Sequence, residues 1–210
     1  GWSSKATTIM SRASAPARTM AMVTIITMAA TATVITRTPT PTTRWARAAW
    51  TRTRRDMDYL RDPEEIYRRS WAMVHAEADL AALPPDLADV AARLVHACGM
   101  TDLPGDLAWG GDPVGAGRAA LQFGAPILVD VEMVRHGIIR TRLPAENPVL
   151  CTLHDEGVRE SAEYQGTTRS AAAVDLWSGK LAGAVVAIGN APTALFRLLE
   201  LMAEGAGPPA

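Results

Sequence analysis

His96 is the side chain in this sequence best suited to acid–base chemistry. Among side chains at their ordinary pKa values, only an imidazole changes charge between about pH 5 and 8. It stands in Leu94-Val95-His96-Ala97-Cys98-Gly99, at the end of an amphipathic pattern and just before a glycine stop. Two readings stay open at this point: a proton donor at neutral pH, or a helix-end histidine whose nitrogens are satisfied by backbone groups. Arg93 is three positions earlier and so shares the helix face of His96. Cys98 is two positions later, about 200° around a helix, which disfavours a Cys/His nucleophilic pair. His75, His136 and His154 lack metal-ligand spacing, so no metal is expected. No G-x-x-x-x-G-K-S/T loop occurs, and Gly110-Gly111 runs into Asp112 rather than a dinucleotide-binding turn.

The elements that would position these groups are legible from Asp62 onward. Pro63 with Glu64 and Glu65 marks a helix start, and Ile66, Trp71 and Val74 carry that helix towards Leu80. Pro84-Pro85-Asp86 opens a second helix whose apolar stripe is Leu87, Val90, Leu94 and Val95, ended by Gly99. A third helix follows Gly110–Pro113 and reaches about Phe123. Residues 125–131, 149–153 and 184–188 are short β-rich apolar runs, with helical patterns at Ser170 to Leu181 and Pro192 to Leu201. Continuous apolar strands alternating with helices predict an α/β fold: a mostly parallel sheet with helices on both faces. Ligands of such sheets bind outside the carboxyl ends of the strands.

Asp130, Glu132 and Met133 follow the first of these strands, and Gly189, Asn190 and Thr193 follow the third. Asn190 before Ala191-Pro192 has the look of a helix N-cap; the N–H groups beneath it could equally meet a ligand. Thr167-Thr168-Arg169-Ser170 opens a helix, where free N–H groups and the helix dipole favour a carboxylate. Each arginine taken alone reads as a solvated surface charge; gathered at strand ends they suit anionic groups, by bidentate pairing.

Charge divides the chain sharply. Residues 1–55 hold nine of the 21 basic residues, 14 threonines and none of the 22 acids. Met20 to Ile35 is apolar but spans only 16 residues, short of the roughly 20 a bilayer needs. An acid-free, arginine-rich start also fits a transit peptide. We favour a third reading, in which residues 1–56 are a disordered or spurious extension, translated from upstream sequence. Thr, Ile and Met are residues that histidine-rich DNA encodes when read one base out of frame. The only cysteines, Cys98 and Cys151, form no C-x-x-C pair and read as reduced, buried thiols of a cytoplasmic protein. No membrane span and no nucleic-acid partner are expected.

Six blocks then stand out in order: MDYLRDPEEIYRRSWAMVHAEADL from Met57, ARLVHACGM, GAPILVDVEMVRHGI, CTLHDEGV, TTRSAAAVDLW and AGAVVAIGNAPTALFRLLEL. In this order and spacing, residues 57–210 resemble the precorrin-8X methylmutase family of cobalamin biosynthesis. The resemblance implies a flavodoxin-like fold, a homodimer, and an isomerase that needs no cofactor. The reaction it implies moves a methyl group from C-11 to C-12 of precorrin-8X, giving hydrogenobyrinic acid. It makes His96 the proton donor/acceptor that activates ring C and places Ser70 and Arg93 in the substrate site. The substrate carries many acetate and propionate groups, so Arg169 and Ser170 join them as candidate contacts, with Met133, Asn190 and Thr193 at the strand ends. The alternatives are a cobalt-bearing substrate, or a tetrapyrrole-binding protein without turnover. The resemblance also implies a further strand and a glycine-rich loop after Leu201. The sequence stops at Ala210, so the expectation is a truncated, less stable domain lacking its last part.

Overall fold

Asp62 accepts a hydrogen bond from the Glu64 N–H at 3.1 Å and starts helix α1 (Pro63–Glu77), with Pro63 in the first turn as its fixed φ favours. The computed structural model describes residues 59–210. The readings of residues 1–56, and Met57 itself, lie outside the described residues. The described residues form two compact units, 59–108 and 109–210.

In residues 59–108, α1 packs on α2 (Pro85–Cys98). Val74, Ala78, Ala92 and Val95 are buried between them, with Trp71, Leu80 and Leu103 packed alongside. Gly99 takes the left-handed conformation (φ 73°), and its N–H closes on the Val95 carbonyl at 2.7 Å. This is the glycine stop read from the sequence. Helix α1 ends at Glu77, one turn short of Leu80, because the chain turns extended at Ala78.

Residues 109–210 hold a three-stranded parallel sheet, with helix α3 (Pro113–Gln122) leading into it. Strands β1 (Ile127–Val129), β2 (Val149–Cys151) and β3 (Val185–Ala187) lie in the order β2-β1-β3. Ile127 pairs with both Val149 and Val185. This 2-1-3 order is the one with which flavodoxin-like sheets begin. Further helices are α4 (Glu132–Gly137), α5 (Val158–Gln165), α6 (Arg169–Asp175) and α7 (Pro192–Ala203). Both sheet faces are covered, as continuous apolar strands require. Leu128, Leu150 and Val186 pack with Val174 of α6 and with Ala194, Leu198 and Leu201 of α7. On the other face Ile127, Val129 and Val149 meet Leu121 of α3 and Val134 of α4.

The sequence pattern left two short helices unread. α4 has six residues and no side-chain cap, and α5 has eight and begins after Gly157 in a left-handed turn. The helix expected over Ser170 to Leu181 is in fact α6, ending at Asp175, followed by a 3₁₀ turn at Ser178–Lys180. Between them Trp177 is fully buried, and its indole N–H donates to Thr152 Oγ1 at 3.0 Å. Thr152 in turn donates to the Ala173 carbonyl at 2.8 Å, tying the end of β2 to α6.

Candidate active site

In residues 59–108 the helical spacing of α1 builds a wall for one imidazole. Tyr67, Ser70 and Trp71 lie three and four positions apart, hence on one face, and α2 brings His96 against them. Ser70 Oγ is 2.9 Å from His96 Nδ1. The imidazole lies nearly flat on the Trp71 indole, with centroids 5.4 Å apart and planes 9° apart. Tyr67 meets the same ring edge-on at 5.7 Å. Arg93, one turn before His96, sets its guanidinium 5.7 Å from the Trp71 ring centre, within cation–π range. Either the Ser70 hydroxyl donates to Nδ1 or a protonated Nδ1 donates to Ser70. Both cases commit Nδ1. Nε2 has no hydrogen-bond partner among the described residues, and the His96 side chain is exposed. A ring held by one nitrogen and one face, with the other nitrogen open, can pass a proton at a fixed place.

In residues 109–210 the carboxyl ends of β1 and β3 are joined by Asp130. Its side chain is 1% exposed. Oδ1 accepts from the Gly189 N–H at 3.0 Å, and Oδ2 from the N–H groups of Asn190 and Ala191 at 3.0 and 2.8 Å. A charged acceptor thus fills the donor-rich turn that enters α7. Next to it, Thr168 and Thr193 share a hydrogen bond between hydroxyls at 2.7 Å, and Thr168 Oγ1 also accepts from the Ala171 N–H at 3.2 Å. The starts of α6 and α7 are therefore linked side chain to side chain.

These contacts revise two expectations. Asn190 is not the cap of α7: Ala191 holds that position without a side-chain cap. The N–H groups of the turn itself, on Gly189, Asn190 and Ala191, are aimed at Asp130, because a buried carboxylate needs donors. The start of α6 is likewise capped by Thr168, so one of its N–H groups is already taken. The candidate site residues fall into two sets. Ser70, Arg93 and His96 come together in residues 59–108. In residues 109–210, Thr193 meets Thr168 directly ahead of Arg169 and Ser170. Met133, on the first turn of α4, is 65% exposed, and Asn190 and Arg169 are exposed. Sequence reading passed over Tyr67 and Trp71, although aromatics at i and i+4 flanking Ser70 were the available signal. It noted Asp130 as a strand-end acid but not as the acceptor for the turn.

Nearby carboxylates and thiols are tuned by ordinary causes. Hydrogen bonds from Arg68 and Arg69 hold Glu65 below the usual carboxylate range. Desolvation opposes ionisation of Glu132, but hydrogen bonds from Arg135 and Cys151 outweigh it and leave the group lowered. Burial pushes the Cys151 thiol up, and Glu132 adds to that. Among the described residues no cluster of His, Cys, Asp and Glu could hold a metal ion, and no helix is long and apolar enough to cross a membrane.

The family model described as precorrin-8X methylmutase matches residues 65–210. A precorrin-8X methylmutase from a Sinorhizobium species is 54% identical over 155 residues, covering 74% of this chain and 74% of that protein. One from Pseudomonas aeruginosa is 52% identical over 154 residues, covering 73% and 74%. The solved structure of a precorrin-8X methylmutase from Thermus thermophilus superposes with a TM-score of 0.60 at 36% identity, covering 69% of this chain and 71% of that one.

Proposed function

The chain belongs to the precorrin-8X methylmutase family, and we propose that it isomerises metal-free precorrin-8X to hydrogenobyrinic acid with His96 as proton donor and acceptor. One methyl group leaves C-11 and bonds to C-12 of the same molecule, so the reaction is balanced without oxidant, reductant or co-substrate. The protein must orient the macrocycle and lend a proton to ring C, which His96 takes back as the product forms. Positioned proton transfer of this kind contributes typically about 10²–10⁴-fold.

The observation that carries the reading is the state of the His96 ring. Nδ1 is engaged by Ser70 at 2.9 Å and Nε2 has no partner among the described residues, so Nε2 is the nitrogen assigned to the substrate. Ser70 accordingly orients the histidine as well as lining the substrate site. Arg93 pairs with a substrate carboxylate. Arg169, Ser170, Asn190, Thr193 and Met133 are proposed as further contacts to its acetate and propionate groups and ring edge. The relatives at 52–54% identity carry the name of the metal-free reaction, which favours precorrin-8X over a cobalt-bearing substrate. We place the enzyme in the cytoplasm as a homodimer. Its two cysteines are free, which fits a reducing compartment.

The test is to mix the full chain with metal-free precorrin-8X and follow visible absorbance. Conversion to the product spectrum is expected for the natural sequence. His96→Ala should abolish turnover while leaving pigment affinity nearly unchanged. Retained turnover in that variant would remove His96 from the chemistry. Pigment binding without conversion by the natural sequence would instead make the chain a tetrapyrrole holder.

A further inference from the structure

The indole of Trp71 is placed by its face and not by its N–H. A buried Trp N–H normally finds a hydrogen-bond partner, yet Trp71 Nε1 is buried and has none among the described residues. An unpaired buried donor of this type is costly, and phenylalanine would fill such a place without it. What the ring supplies is a flat face. His96 lies on the indole at 5.4 Å and 9°, His75 meets it at 5.7 Å, and the Arg93 guanidinium is 5.7 Å from its centre. The ring thus touches both the proposed proton carrier and the proposed carboxylate-binding arginine.

A single hydrogen bond leaves an imidazole free to pivot about the bonded nitrogen. Ser70 fixes where Nδ1 sits; it does not fix the plane of the ring. A flat partner 9° from parallel does fix it, and with the plane set, Nε2 points in one direction. We infer that Trp71 is a positioning residue of the methylmutase reaction, holding the plane of His96 so that Nε2 is presented to the substrate. The inference rests on the assignment of His96 as proton carrier. An indole face also favours a positively charged ring over it, so the stack remains in place when His96 holds its proton.

The test uses the full chain and two kinds of reading. Trp71→Leu removes the planar face, and kcat should fall about tenfold or more with a smaller change in KM. Trp71→Phe keeps a planar face and should recover kcat to within about threefold of the natural sequence, since one aromatic contact is replaced by another. In a His75→Asn background, which removes the other imidazole on this indole, acid should quench part of the indole emission, because a protonated imidazole accepts an electron from the excited indole beneath it. His96→Asn should abolish that part of the quench. Leu and Phe variants with equal losses would overturn the inference by reducing Trp71 to packing. So would a Leu variant with unchanged kcat, or an acid quench that survives His96→Asn in the His75→Asn background. If His96→Ala keeps its turnover, the proton-carrier assignment fails instead, and the emission result still reports whether the stack exists.

Discussion

The Ser70 hydroxyl lies 2.9 Å from Nδ1 of His96 although the two residues are 26 positions apart. Helix α1 supplies the first and the last turn of α2 the second, and Val74, Ala78, Ala92 and Val95 pack the two helices together. Removing the hydroxyl leaves the imidazole in place with Nδ1 unpaired. A neutral hydrogen bond contributes about 0.5–1.5 kcal/mol, so Ser70→Ala should lower kcat up to about tenfold. Because the pair is exposed, the urea midpoint should hardly move. Steady-state kinetics beside urea unfolding checks this. A variant with undiminished kcat would leave Ser70 to substrate contact alone.

Local signals carried much of the architecture into the sequence. Pro63, Pro85 and Pro192 start the helices that their positions predict, Gly99 ends the second, and the three apolar runs are the three strands. Each of these depends on residues a few positions apart. The site was legible in its residue types and not in its pairings. His96 and Ser70 were both identified, but their hydrogen bond spans two helices and leaves no periodic trace. Asp130 reads as a polar residue ending a buried strand; its three donors come 59 to 61 positions later. Asn190 misled for the same reason: its type and place suit a cap, but its own N–H is held by a carboxylate from another strand, and Ala191 takes the cap position. Helix α4 escaped notice because six residues show too little of a 3.6-residue period.

Asp130 is the residue whose loss should unsettle the carboxyl end of the sheet. Its two oxygens satisfy three N–H groups, all at 3.0 Å or less. Hydrogen bonds to a charged group contribute about 1.5–3 kcal/mol each. They are not additive, so Asp130→Ala should cost on the order of 3 kcal/mol or more. Asp130→Asn is expected to cost less. It keeps one acceptor oxygen but turns an NH₂ group towards a backbone N–H. Urea unfolding followed by far-ultraviolet circular dichroism should show midpoints falling in the order natural, Asn, Ala. The slopes should stay unchanged. Equal midpoints for all three would mean that the α7 entry is held by something other than this carboxylate.

Gly189 is fixed by a neighbour and not by its own backbone. It is absent from the glycines with positive φ, yet a Cβ built on it would come 2.6 Å from Val134 Cγ2 on α4. The turn that Asp130 holds therefore passes against α4 with no room for one more carbon. Gly189→Ala should cost about 1–3 kcal/mol, as overpacking does. If that contact is the cause, shortening the valine should relieve it: Val134→Ala in the Gly189→Ala background should lose little beyond Val134→Ala alone. The difference would appear as a coupling energy of about 1 kcal/mol or more between the two positions. Strictly additive losses in the double-mutant cycle would show that the glycine is required for another reason. The Asp130-held turn would then be free to shift away from α4 without penalty.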